Sequence, residues 1–203
     1  KLIGALNEQG FEAWAVGGCV RDSLLGKDPK DWDLCTSARP DQVKECFAGT
    51  YKVLETGIRH GTVTVLAGNE TYEITTYRAE GDYEDHRRPE EVTFVSSLEE
   101  DLARRDFTIN AMAMGPDGTV IDPFGGQGDL KSGVLRCVGD PAQRFGEDAL
   151  RILRLLRFAS VLDFAVEPET MAAANSKKQM LRWVSGERMA REMTRLLCGK
   201  AAH

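Results

Sequence analysis

The alternation of apolar and polar positions divides the chain into two styles. Over the first part, apolar runs are short and separated by turn residues. "KLIGALNEQG" (1–10) predicts a helix and "EAWAV" (12–16) a strand ending at Gly17-Gly18. "CVRDSLLG" (19–26) predicts a short helix closed by Gly26. "DWDLCT" (31–36) is strand-like, and "PDQVKECFAG" (40–49) predicts a helix opened by Pro40 and closed by Gly49. "GTVTVLAGNETYEITTYR" (61–78) alternates with period two on both sides of "AGNE", the mark of a hairpin. "AEGDYEDHRRPEE" (79–91) is charged and poor in apolar residues and is expected to be a mobile loop. "SLEEDLARRDF" (97–107) predicts a helix with Ser97 and Glu100 in a capping box. "TVIDPFGGQGDL" (119–130) predicts a strand running into a Gly-rich bend.

From Asp140-Pro141 the period lengthens. "EDALRILRLLRFASVL" (147–162) places Leu150, Ile152, Leu153, Leu155, Leu156, Phe158 and Ala159 at helical spacing. "PETMAAANSKKQM" (168–180) and "SGERMAREMTRLL" (185–197) predict two more helices. The boundary is expected near 138, with an α/β part over 1–138 and an all-helical part over 139–203. The chain shows no internal repeat and no low-complexity segment.

Composition narrows the class. Of 203 residues, 42% are apolar and 29% charged, as expected of a soluble globular protein. No run approaches the roughly 18 consecutive apolar residues of a membrane span, so no membrane partner is expected. The first residue is Lys1, no signal peptide is visible, and both ends fall against helical patterns; a few residues are expected to be missing there. Cysteines 19, 35, 46, 137 and 198 form no Cys-x-x-Cys pair, which points to a reduced, cytoplasmic protein without structural zinc. Net charge is −6, but residues 139–203 carry 11 Lys/Arg against 8 Asp/Glu, while the remainder carries 15 against 24. An acidic first part and a basic second part suit a metal site followed by a surface for polyanions.

The candidate chemistry begins at "AVGGCVRDSLLGKDPKDWDL" (15–34). In a strand, Asp31 and Asp33 project side by side with Trp32 turned to the core. Adjacent carboxylates repel unless a cation lies between them. Magnesium prefers oxygen ligands and is commonly held by a few carboxylates plus substrate phosphates. An isolated Asp-x-Asp is more often a pair of solvated acids; Gly17 and Gly18 upstream change that. Glycine lets the backbone approach a ligand closely, the helix start after it suits phosphate, and Arg21 adds a cation one turn in. In "TYEITTY" (71–77), Glu73 faces away from the apolar side and is the candidate third acid.

With these residues in place, the chain resembles the class II tRNA nucleotidyltransferases, the family of CCA-adding enzymes and bacterial poly(A) polymerases within the polymerase-β-like superfamily. "GGCVRDSLLGKDPKDWDL" (17–34) is similar to the family's first motif. "RRDFTINAMAM" (104–114) resembles its ribose-recognition motif, and "DPFGG" (122–126) its hinge between head and neck. "EDALRILRLLRF" (147–158) resembles its base-recognition helix, and "ERMAREMTRLL" (187–197) a later neck motif. The motifs come in the family's order and span nearly the whole chain. The resemblance implies an α+β fold: a head with a mixed sheet and flanking helices, then a helical neck. It implies that Asp31 and Asp33 bind two Mg2+ ions, with Glu73 as the third catalytic acid. It implies that Gly17, Gly18 and Arg21 meet the triphosphate. Arg105, Asp106 and Asn110 would meet the incoming nucleotide, and Asp148, Arg151, Arg154 and Arg157 would line its pocket. The implied partners are the tRNA 3′ end, ATP and CTP, with no obligate protein partner. The family's helical body and tail are absent from this stretch, so weak tRNA binding is expected of it.

Base choice follows from chemistry. Residues i and i+3 share a helix face, so Asp148 and Arg151 are expected to present an acceptor and a donor side by side. Cytosine and adenine both offer an amino donor beside an acceptor nitrogen; uracil and guanine offer the reverse. Such mismatches cost up to about 10⁴-fold in selectivity. The expected reaction is attack of an RNA 3′-hydroxyl on the α-phosphorus of CTP or ATP, releasing pyrophosphate. A poly(A) polymerase, an A-adding-only enzyme and an inactive RNA-binding scaffold are the rivals. "TGIRHGTVTVLA" (56–67) looks like the tRNA-specific branch rather than the poly(A) polymerases.

Overall fold

The structure is a computed structural model that describes residues 1–80 and 92–199. The loop expected at 79–91 lies outside these residues except for Ala79 and Glu80. The described residues form two compact units: 1–80, 92–105 and 110–124 in the first, and 106–109 with 125–199 in the second.

The first unit is built on a seven-stranded mixed sheet. Its strands are β1 (Ala13–Val16), β2 (Trp32–Thr36), β3 (Lys52–Leu54), β4 (Thr62–Ala67), β5 (Glu70–Thr76), and, past a separate ribbon, β8 (Ala113–Met114) and β9 (Val120–Ile121). The ribbon pairs β6 (Arg78–Glu80) with β7 (Val92–Phe94). The order across the sheet is β3-β4-β5-β2-β1-β8-β9, and only β2 and β5 run parallel. Helices α1 (Leu2–Glu8), α2 (Gly18–Leu24), α3 (Pro40–Phe47) and α4 (Leu98–Ala103) belong to the same unit.

The register decides which side chains meet. Leu34, Ile74 and Val63 stand in one row and are buried. One residue back, Asp33, Glu73 and Thr64 form the next row, on the opposite face because side chains alternate along a strand. Burying each large apolar side chain stabilises the fold by about 1.5–3 kcal/mol, which pins this register and with it the acidic row. Behind β1 and β2, Val16, Cys35, Tyr77, Leu102 and Ala113 form a core cluster with Trp14, Val95, Leu98 and Phe124 against it.

The hairpin at 62–76 and the helix from Pro40 match the sequence reading. The capping box at Ser97 does not form: Ser97 stands at the N-cap, but its side chain takes no capping bond. The helix also ends at Ala103, leaving Arg105 to Phe107 outside it.

The second unit contains α5 (Gly126–Ser132), β10 (Val134–Leu135), α6 (Pro141–Glu147), α7 (Leu150–Leu162), β11 (Ala165–Val166), α8 (Pro168–Lys177) and α9 (Gly186–Leu197). Its compact body starts at Gly125 rather than near 138, because β10 pairs in parallel with β11, thirty residues on. That ladder also makes the unit predominantly, not wholly, helical. The Gly-rich bend expected after Ile121 is the start of α5, with Gly125 as its N-cap. Asp140 caps α6 by accepting the Ala142 N–H at 2.8 Å. Leu150, Leu153 and Val184 form a core with Met180, Leu181 and Met189, and α7 packs on α9. Phe107 meets Phe158 edge to face at 5.8 Å.

Candidate active site

The acidic row on β2 and β5 is the centre of the first unit's chemistry. Asp33 and Glu73 are register partners on parallel strands, and both are exposed. Asp31 lies in the bend just before β2, also exposed. Partial desolvation raises the pKa of Asp33, Glu73 and Asp31 raise it further by like charge, and Arg105 opposes them. Asp33 therefore feels the charge of both other acids. Trp32 points away from them but is only half-buried; with Leu2, Leu34, Tyr51 and Tyr72 it lines a cavity of about 530 Å³.

Among the described residues, no three His, Cys, Asp or Glu side chains form a ready metal cage. A hard divalent cation still fits this donor set. It is commonly bound through one or two carboxylates with substrate phosphates completing the shell, and it would relieve the repulsion that raises Asp33.

The glycine turn stands at the end of β1. Gly17 has φ 77° and ψ −130°, a conformation that side-chain-bearing residues rarely adopt. A Cβ there would also sit 3.0 Å from Nη1 of Arg105. Gly18 begins α2. Arg21, in α2, donates from Nε to Asp22 Oδ1 at 2.9 Å and from Nη1 to Asn110 Oδ1 at 2.8 Å. Arg21 thus pairs with Asp22 through one arm and is tied to Asn110 through another.

Arg105 is held by Asp101. Its Nη2 donates to Asp101 Oδ2 at 3.2 Å, while its Nε is buried without a hydrogen-bond partner among the described residues. Asp101 Oδ1 accepts from Arg104 Nε at 2.9 Å, Arg104 Nη2 at 2.8 Å and the Arg78 N–H at 3.3 Å. Burial alone would raise the Asp101 pKa, but Arg104, Arg105 and these hydrogen bonds outweigh it and hold the carboxyl below the usual range. Sequence reasoning missed Asp101; its signal is the i+3 and i+4 spacing to Arg104 and Arg105.

The remaining expected residues lie in the second unit. Asp106 is buried; its Oδ1 accepts the Phe107 N–H at 2.9 Å, and its Oδ2 takes both Arg154 Nε at 2.7 Å and Arg154 Nη2 at 2.6 Å. Arg157 Nε lies 3.0 Å from Glu192 Oε2, an ion pair whose angle makes no hydrogen bond. Burial and the neighbouring Arg154 pull the Arg157 pKa down to about 10, and its guanidinium lies 4.1 Å from the Phe158 ring centroid. Arg154 and Arg157 are therefore engaged inside the unit rather than forming a solvated stripe.

The expected helix face of Asp148 and Arg151 is corrected. Asp148 is extended, with φ −142° and ψ 103°, in the link between α6 and α7. Its Oδ1 accepts the Leu150 N–H at 3.1 Å, and its Oδ2 pairs with Arg188 Nη2 at 2.6 Å. Its carboxylate serves the unmet N–H groups of the new helix, which is what draws it out of helical geometry. Arg151 is buried and donates from Nη1 to Glu147 Oε2 at 2.7 Å and to the Arg144 carbonyl at 3.3 Å. Arg188 holds the Asp148 carboxylate in this orientation. Arg188 and Glu192 were both missed by sequence reasoning; their i+4 spacing on α9 is the available signal.

The family described as "Poly A polymerase head domain" matches residues 13–136, and that described as "Probable RNA and SrmB-binding site of polymerase A" matches residues 163–203. The CCA-adding enzyme of Levilactobacillus brevis is 52% identical over 200 residues, covering 98% of this chain and 50% of that protein. The CCA-adding enzyme of Geobacillus thermodenitrificans is 51% identical over 201 residues, covering 99% and 49%. This chain spans about half the length of the curated relatives it matches. The structure of the Bacillus stearothermophilus CCA-adding enzyme in complex with CTP is similar at TM-score 0.91 and 45% identity, covering 99% of this chain and 48% of that one. The Thermotoga maritima CCA-adding enzyme complexed with tRNA-CCA is similar at TM-score 0.80 and 30% identity, covering 99% and 46%.

Proposed function

The chain belongs to the poly A polymerase head-domain family, and on that premise we propose that it is the nucleotidyl-transfer part of an enzyme adding CMP and AMP to the 3′ end of tRNA without a nucleic-acid template. The observation that carries this reading is the register of Asp33 with Glu73 in the same unit as Gly17, Arg21 and Arg105. The similarity to CCA-adding enzymes along nearly the whole chain supports CTP and ATP as the nucleotidyl donors and tRNA as the acceptor.

Asp31, Asp33 and Glu73 would hold Mg2+. Bound there, the metal supplies a lowered hydroxyl pKa on the RNA and charge neutralisation on the leaving phosphate. The chain's own residues do the rest. Gly17 and Gly18 let the backbone approach the triphosphate, and Arg105 and Arg21 set positive charge beside it. The RNA 3′-oxygen forms its bond to the α-phosphorus as the bond to pyrophosphate breaks. In the second unit, Asp148 would accept the amino hydrogen that cytosine and adenine share, and Arg151 would complete the reading of that edge. The five cysteines are free, which supports a reducing, cytoplasmic setting.

The test incubates the full-length enzyme with tRNA ending in the discriminator base, in CC and in CCA, with CTP and ATP separately and together. Restoration of CCA, AMP addition to the CC end and no extension of the CCA end are expected. Long adenylate tracts, or no CMP addition from CTP, would replace this reading with that of a poly(A) polymerase or an A-adding enzyme.

A further inference from the structure

The first unit contains a buried carboxylate that the proposed reaction does not use. Asp101 is 0% exposed, and its two oxygens divide their work. Oδ1 takes Arg104 and the Arg78 N–H; Oδ2 takes Arg105. Among the described residues, Arg105 is held by that bond, with Nη1 over Gly17 and Nε buried without a hydrogen-bond partner. Besides Asp101, the carboxylate whose charge acts on Arg105 is Asp33. A guanidinium released toward Asp33 would neutralise the carboxylate that the cation needs and leave the space above Gly17.

We propose that Asp101 is the positioning residue for Arg105, holding its guanidinium above Gly17 so that it meets the nucleotide's phosphates. The inference rests on the nucleotidyl-transfer reading of Asp33 and Arg105. Arg104 serves as counter-charge to Asp101.

The test measures equilibrium binding of ATP with Mg2+ to the full-length enzyme, together with KM and kcat for AMP addition. Asp101→Asn removes a buried charge and endangers folding, so the charge-balanced pair Asp101→Asn with Arg104→Gln is the working variant. Its ATP affinity should fall by about tenfold, with KM rising accordingly, as expected for a lost hydrogen bond between charged groups. Arg104→Gln alone should bind ATP within about twofold of the wild type, since Asp101 still holds Arg105. Added to Arg105→Gln, the Asp101→Asn change should weaken ATP no further, because its effect passes through Arg105. Wild-type ATP affinity in the charge-balanced pair, or full additivity with Arg105→Gln, would overturn the positioning role. Unchanged ATP binding in Arg105→Gln itself would instead overturn the assignment of Arg105 to the nucleotide.

Discussion

Asp33 on β2 and Glu73 on β5 stand directly opposite one another across the single parallel pair of the sheet. Partial burial and, after it, the like charge of Glu73 oppose ionisation and raise the Asp33 pKa. A carboxylate whose folded pKa is raised in this way destabilises the fold when charged. Asp33→Asn should therefore leave the melting temperature unchanged or slightly higher while reducing nucleotide addition by at least about 10³-fold. A large loss of stability, or retained addition, would contradict the site.

Gly17 is a conformational requirement as well as a point of close approach. Gly17→Ala should cost about 1–3 kcal/mol in denaturant unfolding, from the unfavourable backbone alone. It should also weaken ATP binding, because the new methyl group meets Arg105. Equal stability of the variant and the wild type would mean that the turn relaxes without strain.

Asp106 and Arg154 are unequal partners. Asp106 is 8% exposed at its side chain and Arg154 33%. Removing Arg154 strands a buried carboxylate short of its main counter-charge, whereas removing Asp106 leaves an arginine that reaches solvent and Glu192. Arg154→Ala should therefore destabilise the protein more than Asp106→Ala, by about 3 kcal/mol against about 1–2 kcal/mol. Urea unfolding of both variants measures the order; the reverse order would contradict it.

Asp101 gives a pH signature. Its folded pKa lies below the ordinary aspartate value, so its contribution is complete above about pH 4 and is lost as pH falls through the folded value. Breaking such a buried pair costs about 3–5 kcal/mol. Asp101→Asn should thus be less stable than wild type at pH 7, with the difference shrinking toward pH 2. A pH-independent difference would show that the charge is not what Asp101 contributes.

Much of this arrangement was legible because it rests on period and turn chemistry. Residues 62–76 alternate cleanly, so the hairpin and the outward face of Glu73 followed from the sequence. Asp148 was misread as helical because the apolar period of α7 extends smoothly backward past its true start; only the competition of a carboxylate for free N–H groups breaks it. The beginning of the second unit was hidden for another reason. Its two strands are two residues each, too short to show a period, and they meet across thirty residues of chain. Asp101 was invisible among the charges of "LEEDLARRD", where an exposed acid and a fully buried one read alike.

The most direct measurement follows single-turnover transfer of CMP from CTP onto tRNA ending in the discriminator base, with CTP binding measured in parallel, for wild-type and Asp33→Asn full-length enzyme. Transfer by the wild type, with CTP still bound but not transferred by Asp33→Asn, is expected if the Asp33–Glu73 pair performs the chemistry. Transfer by Asp33→Asn at the wild-type rate would place the chemistry elsewhere in the protein.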